Sequence, residues 1–165
     1  MAYGVYSIAG AQDIATTSVD RKHVLGTIVK AVDPDVGDGE FIYLLGVAST
    51  VVGSLVRWNA TTFQTTLVVN TAVQVVPIAV AMSANVASQY GWYQISGNAV
   101  IKKTAVAVAP SVPLFLSATA GRVKVLASAG LQINACRSAN LATVTSTTST
   151  ITATIDRPSL QSQVT

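Results

Sequence analysis

The chain has 165 residues and a formal net charge of +3, and only 10% of its side chains are charged although half of its residues are hydrophobic. That length fits one domain, and a single cysteine excludes an internal disulfide and predicts synthesis in a reducing cytoplasm. Typical globular proteins have about 25% charged residues, so serine and threonine, or a permanent partner, are expected to cover much of this surface.

The N-terminal segment predicts neither a signal peptide nor a compact helix. Residues 1–17 have no basic region followed by a short apolar core, which is the pattern of a secretory signal. Their small, mixed composition is typical of an extended arm. We therefore predict an arm over 1–21, a β-domain over 22–157 and a tail over 158–165.

The most apolar segment, 41–56, does not predict a membrane span. It has 16 charge-free residues, whereas a spanning helix needs about 20, and it contains Gly46 and Gly53. Buried β-strands explain it better, and no membrane partner is expected. The continuous apolar runs "FIYLL" (41–45) and "PIAVAM" (77–82) predict central strands that are covered on both faces.

Turn signals recur along the rest of the chain and separate runs that are rich in valine, isoleucine and threonine. Such spacing predicts an all-β barrel or sandwich, because branched side chains suit a pleated surface. Three runs alternate with a period of two, which indicates one buried face, and one of them, "LQINA", places Leu131, Ile133 and Ala135 on the same side. Val123 and Val125 oppose Arg122 and Lys124, and the apolar residues of "TITATID" (150–156) oppose its threonines.

The charges are segregated along the chain. Residues 1–40 have a net charge of −3, residues 41–155 contain no carboxylate and have a net charge of +6, and residues 58–101 are uncharged. Three interpretations stay open at this point: solvated strand faces, a basic face that meets an acidic protein lattice, and a nucleic-acid footprint. The cations are too sparse for the dense clusters that phosphate binding uses, so direct nucleic-acid binding is not expected. The acidic N-terminal segment could instead dock on a neighbouring subunit.

The sequence contains few residues that could act as catalytic groups or metal ligands. His23 is the only candidate base, and the free thiol of Cys136 lies in an alternating strand, where it is expected to behave as a small apolar side chain. "DPDVGDG" (33–39) lacks the spacing and closing glutamate of a calcium loop. We therefore expect no enzyme activity, no catalytic residue, no metal and no cofactor.

An aromatic cluster, "ASQYGWYQISGNA" (87–99), raises the question of a binding platform. On a strand, Tyr93 and Ile95 share one face and are expected in the core, which places Trp92 on the other face. Trp92 is then exposed or lies in a second interface, and a core or subunit-interface role is favoured for the cluster because tyrosine and tryptophan combine an apolar body with a polar tip. An exposed platform of Trp58, Tyr90 and Trp92 would suit a carbohydrate or a host surface.

The order "GEFIYLLGVAST … AVAMSANVASQYGWYQISGNAVIKK … LFLSATAGRVKV" resembles the capsid decoration, or cement, proteins of tailed bacteriophages. The matching stretches are Gly39 to Leu44, Ala79 to Gly97 and Thr119 to Gly121, and the resemblance covers 22–157. It implies a compact β-barrel or β-tulip-like domain with an extended N-terminal arm. It also implies a homotrimer on the outside of the head, bound to the major capsid protein and stabilising the capsid by bridging capsomers.

From the resemblance and the charge pattern together, a structural virion protein is expected, synthesised in the bacterial host cytoplasm. The alternatives are a head-fibre base, knob or tail component of the virion, and a carbohydrate- or host-surface-binding module. The candidate interface residues are Trp58, Tyr90, Trp92, Lys102, Lys103, Arg122 and Lys124.

Overall fold

The computed structural model describes residues 4–5, 10–70, 75–84 and 87–161. The described residues form twelve strands, and every pairing between them is antiparallel. They are β1 (Gly4–Val5), β2 (Thr17–Ser18), β3 (Ile28–Asp33), β4 (Gly37–Leu45), β5 (Leu55–Trp58), β6 (Thr65–Leu67), β7 (Ile78–Ala81), β8 (Tyr90–Lys102), β9 (Pro113–Leu116), β10 (Val123–Lys124), β11 (Gln132–Ser138) and β12 (Thr150–Leu160).

The strands form one curled sheet in the order β1-β3-β4-β8-β12-β11-β9-β10, with β2, β5, β6 and β7 attached off this path. The curl makes a half-barrel, so the prediction of an all-β, barrel-like domain is confirmed. No helix of the described residues is long and apolar enough to cross a membrane.

β8 is the longest strand and connects the two parts of the sheet. Its first half pairs with β4 and its second half with β12, and the change of partner falls near Gly97. Gly97 has φ +100°, and a Cβ there would meet the carbonyl oxygen of Asp38 at 2.3 Å. Only glycine allows this combination of backbone conformation and close approach, so the contact between β8 and β4 at this point depends on it.

The barrel-like part consists of the second half of β8 with β9–β12, and its apolar side chains form the largest core together with Leu55 of β5 and Ile78 and Val80 of β7. The alternation predicted for 131–135 is wrong at Ala135, which is exposed because a bulge between Asn134 and Cys136 shifts the register. The alternation of β12 is confirmed, because Ile151, Ala153 and Ile155 are buried while the intervening threonines are partly exposed. β12 continues to Leu160, which pairs with Ile133, so the predicted tail begins inside this strand. Residues 162–165 of that tail lie outside the described residues.

The other part is the sheet of β3, β4 and the first half of β8, and both of its faces are covered, as "FIYLL" predicts. Ile42 and Leu44 pack on one face with Tyr93 and residues of β5 and β7. Phe41 and Tyr43 pack on the other face with Trp92. β7 is fully buried, and Pro77 immediately precedes it, in the position where a proline costs no ladder hydrogen bond.

The N-terminal segment covers the second of these faces. Ile14 is fully buried against Trp92 and Tyr43, and Thr17 and Ser18 pair with Gly91 and Tyr90 of β8. The described part of the predicted arm therefore lies on the domain. Residues 1–3 and 6–9 of the arm lie outside the described residues.

Candidate interaction surface

Three of the predicted interface cations lie where the end of β8 approaches β10 across the curl of the sheet. Lys103, directly after β8, forms a parallel bridge with Val123 of β10, and Thr104 N–H donates to the Val123 carbonyl. The Arg122 guanidinium donates to the Lys103 carbonyl at 3.1 Å. These contacts place Arg122 and Lys124 beside the end of β8, which contains Lys102. We call Lys102, Arg122 and Lys124 the basic seam.

The cations of the basic seam have no carboxylate partner among the described residues. The carboxylate of Glu40, on β4, forms ion pairs elsewhere in the domain, with Lys30 at 3.9 Å and with Arg157 at 2.7 Å. Because residues 41–155 contain no acid, the strands around the seam supply only neutral partners, such as the Ser128 hydroxyl for Lys124. The seam is therefore a partly exposed surface of one charge sign on a charge-poor domain.

Lys103 does not belong to this surface, which corrects the prediction that it lies at an interface. Its side chain is 1% exposed, and its ammonium donates to the carbonyls of Val106 and Thr145 at 2.8 and 2.9 Å, with a longer contact to Thr104. Burial lowers the pKa of Lys103, since desolvation disfavours the charged form. Lys103 instead fastens the 139–149 loop to the end of β8.

Trp92 is also buried, which excludes the alternative of an exposed platform and places its ring in the core. Its indole N–H donates to the Gln12 carbonyl at 3.0 Å, and its ring centroid lies 4.9 Å from that of Tyr43. Trp92 has zero exposure because residues 10–18 cover the face that the sequence left open. The physical reason is that an indole can bury its ring once its N–H finds an acceptor.

The remaining two aromatic candidates lie on opposite faces of the same sheet. Tyr90 is half-buried, stacks on Tyr43 at 6.3 Å and packs on the face of Trp92. Trp58 packs on the other face and lines a cavity of about 370 Å³ with Arg57 and Gln64. The fold thus does not bring Trp58, Tyr90 and Trp92 together.

The sequence did not point to Gln12 or Ile14, and it indicated His23 only as a candidate base, yet these three residues complete the site around Trp92. The Gln12 backbone N–H donates to His23 Nε2 at 3.0 Å, and Tyr43 Oη–H donates to the Gln12 side-chain oxygen at 3.0 Å. The one available signal was Ile14, an isolated large apolar residue in a polar segment. A lone apolar residue has no period, so it does not indicate which surface it covers.

Cys136 behaves as the sequence predicted. Its side chain is 6% exposed, and burial raises the pKa of its thiol to about 12. It lines an open cavity of about 460 Å³ in which Arg137 and Asp156 are the charged residues. A thiol held in its protonated form is a poor nucleophile, so the position suits packing rather than covalent chemistry.

Within the described ranges there is no group of three histidine, cysteine, aspartate or glutamate residues that could hold a metal ion. Comparison of the chain with protein-family models, curated proteins and solved structures gives no match to any of them.

Proposed function

We propose that this chain is a non-enzymatic structural protein of a bacteriophage virion. In this proposal it binds the outer surface of the capsid as a homotrimer and stabilises the shell by bridging capsomers. The observation that carries the proposal is the basic seam. Three cations without a carboxylate neighbour on a charge-poor domain are suited to a partner surface that supplies the acids.

The chemistry of the seam favours an acidic protein surface over nucleic acid. Its cations are few, and no aromatic side chain is exposed beside them in the described structure. Single-stranded nucleic acid is usually held by aromatic stacking combined with a continuous basic groove. A repetitive protein lattice such as the major capsid protein needs only a small complementary patch, since each weak contact is repeated over many copies.

Exposed apolar side chains support a role in assembly. Leu141 is fully exposed in the loop that Lys103 fastens, and Leu126 is 71% exposed just after β10. A leucine in each loop next to the elements of the seam would add apolar contact to an electrostatic one. Interfaces commonly combine an apolar centre with a polar, charged rim.

The test is binding to purified empty heads of the phage that encodes the chain. The variant Lys102→Glu with Arg122→Glu reverses two seam charges, and we expect it to weaken cosedimentation with the heads at least tenfold at physiological salt. The matched control is Arg57→Glu with Arg137→Glu, which makes the same charge change outside the seam and should bind like the wild type. Equal binding of both double variants, or no binding by the wild type, contradicts the proposal.

A further inference from the structure

Residues 10–18, which we call the strap, occupy a groove on the β4–β8 face through contacts that recognise specific groups. Trp92 Nε1–H donates to the Gln12 carbonyl, and Tyr43 Oη–H donates to the Gln12 side-chain oxygen, both at 3.0 Å. Ile14 fills the apolar part of the groove and is fully buried. The groove therefore contacts the Gln12 side chain and backbone and encloses Ile14, on a segment that turns at Ile14–Ala15 through a Thr16 N–H to Asp13 carbonyl hydrogen bond.

The end of the strap is held as an added β-strand. Thr17 and Ser18 pair with Gly91 and Tyr90, and the Thr17 hydroxyl donates to the Gln89 side-chain oxygen at 2.8 Å. Addition of a short strand to an existing one is a common way for a domain to bind a peptide, because the backbone supplies the hydrogen bonds and pockets supply the selectivity. The strap thus contacts its groove as a peptide ligand contacts a receptor.

The connection from the strap to the rest of the domain is short and exposed. Residues 19–22 are all exposed, and Val19 is 73% exposed. Lys22 N–H donates to Tyr43 Oη at 3.2 Å, so the chain is attached to the groove again at this point. From Ser18 to Lys22 the backbone spans at most roughly 14 Å when fully extended. The connection can therefore reach a second groove only if that groove lies close by.

We propose that the groove accepts the strap of a second copy of this chain, by exchange of straps between adjacent subunits. The strap can make the same contacts with the groove of its own chain or of a second copy, so exchange preserves all of these contacts. The second copy is the occupant because each chain carries both the groove and a strap of matching sequence. Exchange of an identical element is a low-cost route to association, and the short connection restricts it to neighbouring copies.

The experiment uses two full-length proteins with one new cysteine each, mixed at high concentration under mild oxidation. One carries Ser18→Cys and the other Tyr90→Cys, which are directly paired positions of β2 and β8. Neither protein can form this disulfide within itself, and native Cys136 is buried. A covalent heterodimer on a non-reducing gel therefore requires the strap of one chain in the groove of the other. The control partner carries Leu141→Cys, at a fully exposed position.

We expect the Ser18→Cys protein to form heterodimers with the Tyr90→Cys protein at least tenfold faster than with the Leu141→Cys protein. Equal rates with the two partners would show random collision, and absence of the heterodimer would show that the strap stays in its own chain; either result overturns the proposal. If Tyr90→Cys fails to fold, the neighbouring pair Thr17→Cys and Gln89→Cys gives the same readout. This test needs no capsid, so its outcome is separate from that of the proposed function.

Discussion

The barrel-like part of the sheet and the face under the strap cover their apolar side chains by different means. The apolar side chains of β9–β12 form one core with those of the second half of β8 and of strands β5 and β7, and β12 alternates buried and partly exposed residues over 150–155. The face that contains Phe41, Tyr43 and Trp92 is instead completed by a segment far away in the sequence, which contributes Ile14 and the polar anchors of Gln12. The comparison teaches that the first region is completed by regular strands, whereas the second depends on a segment without a periodic pattern.

Of the variants that compare the two regions, Trp92→Ala is expected to change the free energy of unfolding most. It removes a fully buried ring and leaves the Gln12 carbonyl without its donor, so we expect a loss of about 3–5 kcal/mol in the free energy of unfolding. Urea unfolding measures it. The control is Trp58→Ala, which removes the same ring from a half-buried site and should cost less. Equal losses would show that the strap does not bury Trp92 in solution.

A smaller effect in the barrel-like region is expected from Lys103→Met. The variant leaves the Val106 and Thr145 carbonyls buried without a donor, which should lower the free energy of unfolding by about 1–3 kcal/mol. Lys102→Met, at the partly exposed neighbour, should change it by less than about 0.5 kcal/mol. A Lys103→Met variant as stable as the wild type would mean that the cost of burying the ammonium fully offsets the gain from its hydrogen bonds.

The smallest effect is a pH dependence in the barrel-like region. Because burial raises the pKa of Cys136 from 9.0 to about 12, the folded state favours the thiol. That contribution is complete below pH 9 and is lost as the pH rises towards 12, by about 1 kcal/mol for each pH unit. The lowered pKa of Lys103 acts in the opposite direction, since its neutral form is easier to bury.

The Cys136 contribution is isolated by comparison with Cys136→Ala. Thermal unfolding of both proteins from pH 7 to 10.5 should show parallel curves up to pH 9 and a steeper decline for the wild type above it. Parallel curves over the whole range would mean that the thiol ionises equally well in the folded and unfolded states.

Most of the fold could be predicted from the sequence because the period-two patterns are local. The alternation of 150–156 and the apolar run 41–45 identified one strand with a single buried face and one covered on both faces. Lys103 carried a usable signal as well, since it follows the buried Ile101 by two positions and so points to the same side. The pair Lys102-Lys103 was interpreted as surface charge, and that interpretation concealed the alternation.

The cover over Trp92 could not be predicted for a physical reason. A strand pattern shows which residues share a face, but it does not show what lies on that face when the cover comes from a nonperiodic segment. Residues 10–18 have one large apolar side chain and bind largely through hydrogen bonds to Tyr43, Gln89 and Trp92. The basic seam was partly predictable, because its cations were identified individually, whereas their meeting beside Val123 depends on the curl of the sheet.

The most direct test of the proposed function is the position of the chain in purified phage particles, measured by electron microscopy with an antibody against it. The proposed function predicts label over the outer surface of the head, at many symmetric positions on each particle. Label confined to the tail or to a fibre would contradict capsid decoration, and particles without label would contradict a virion role altogether.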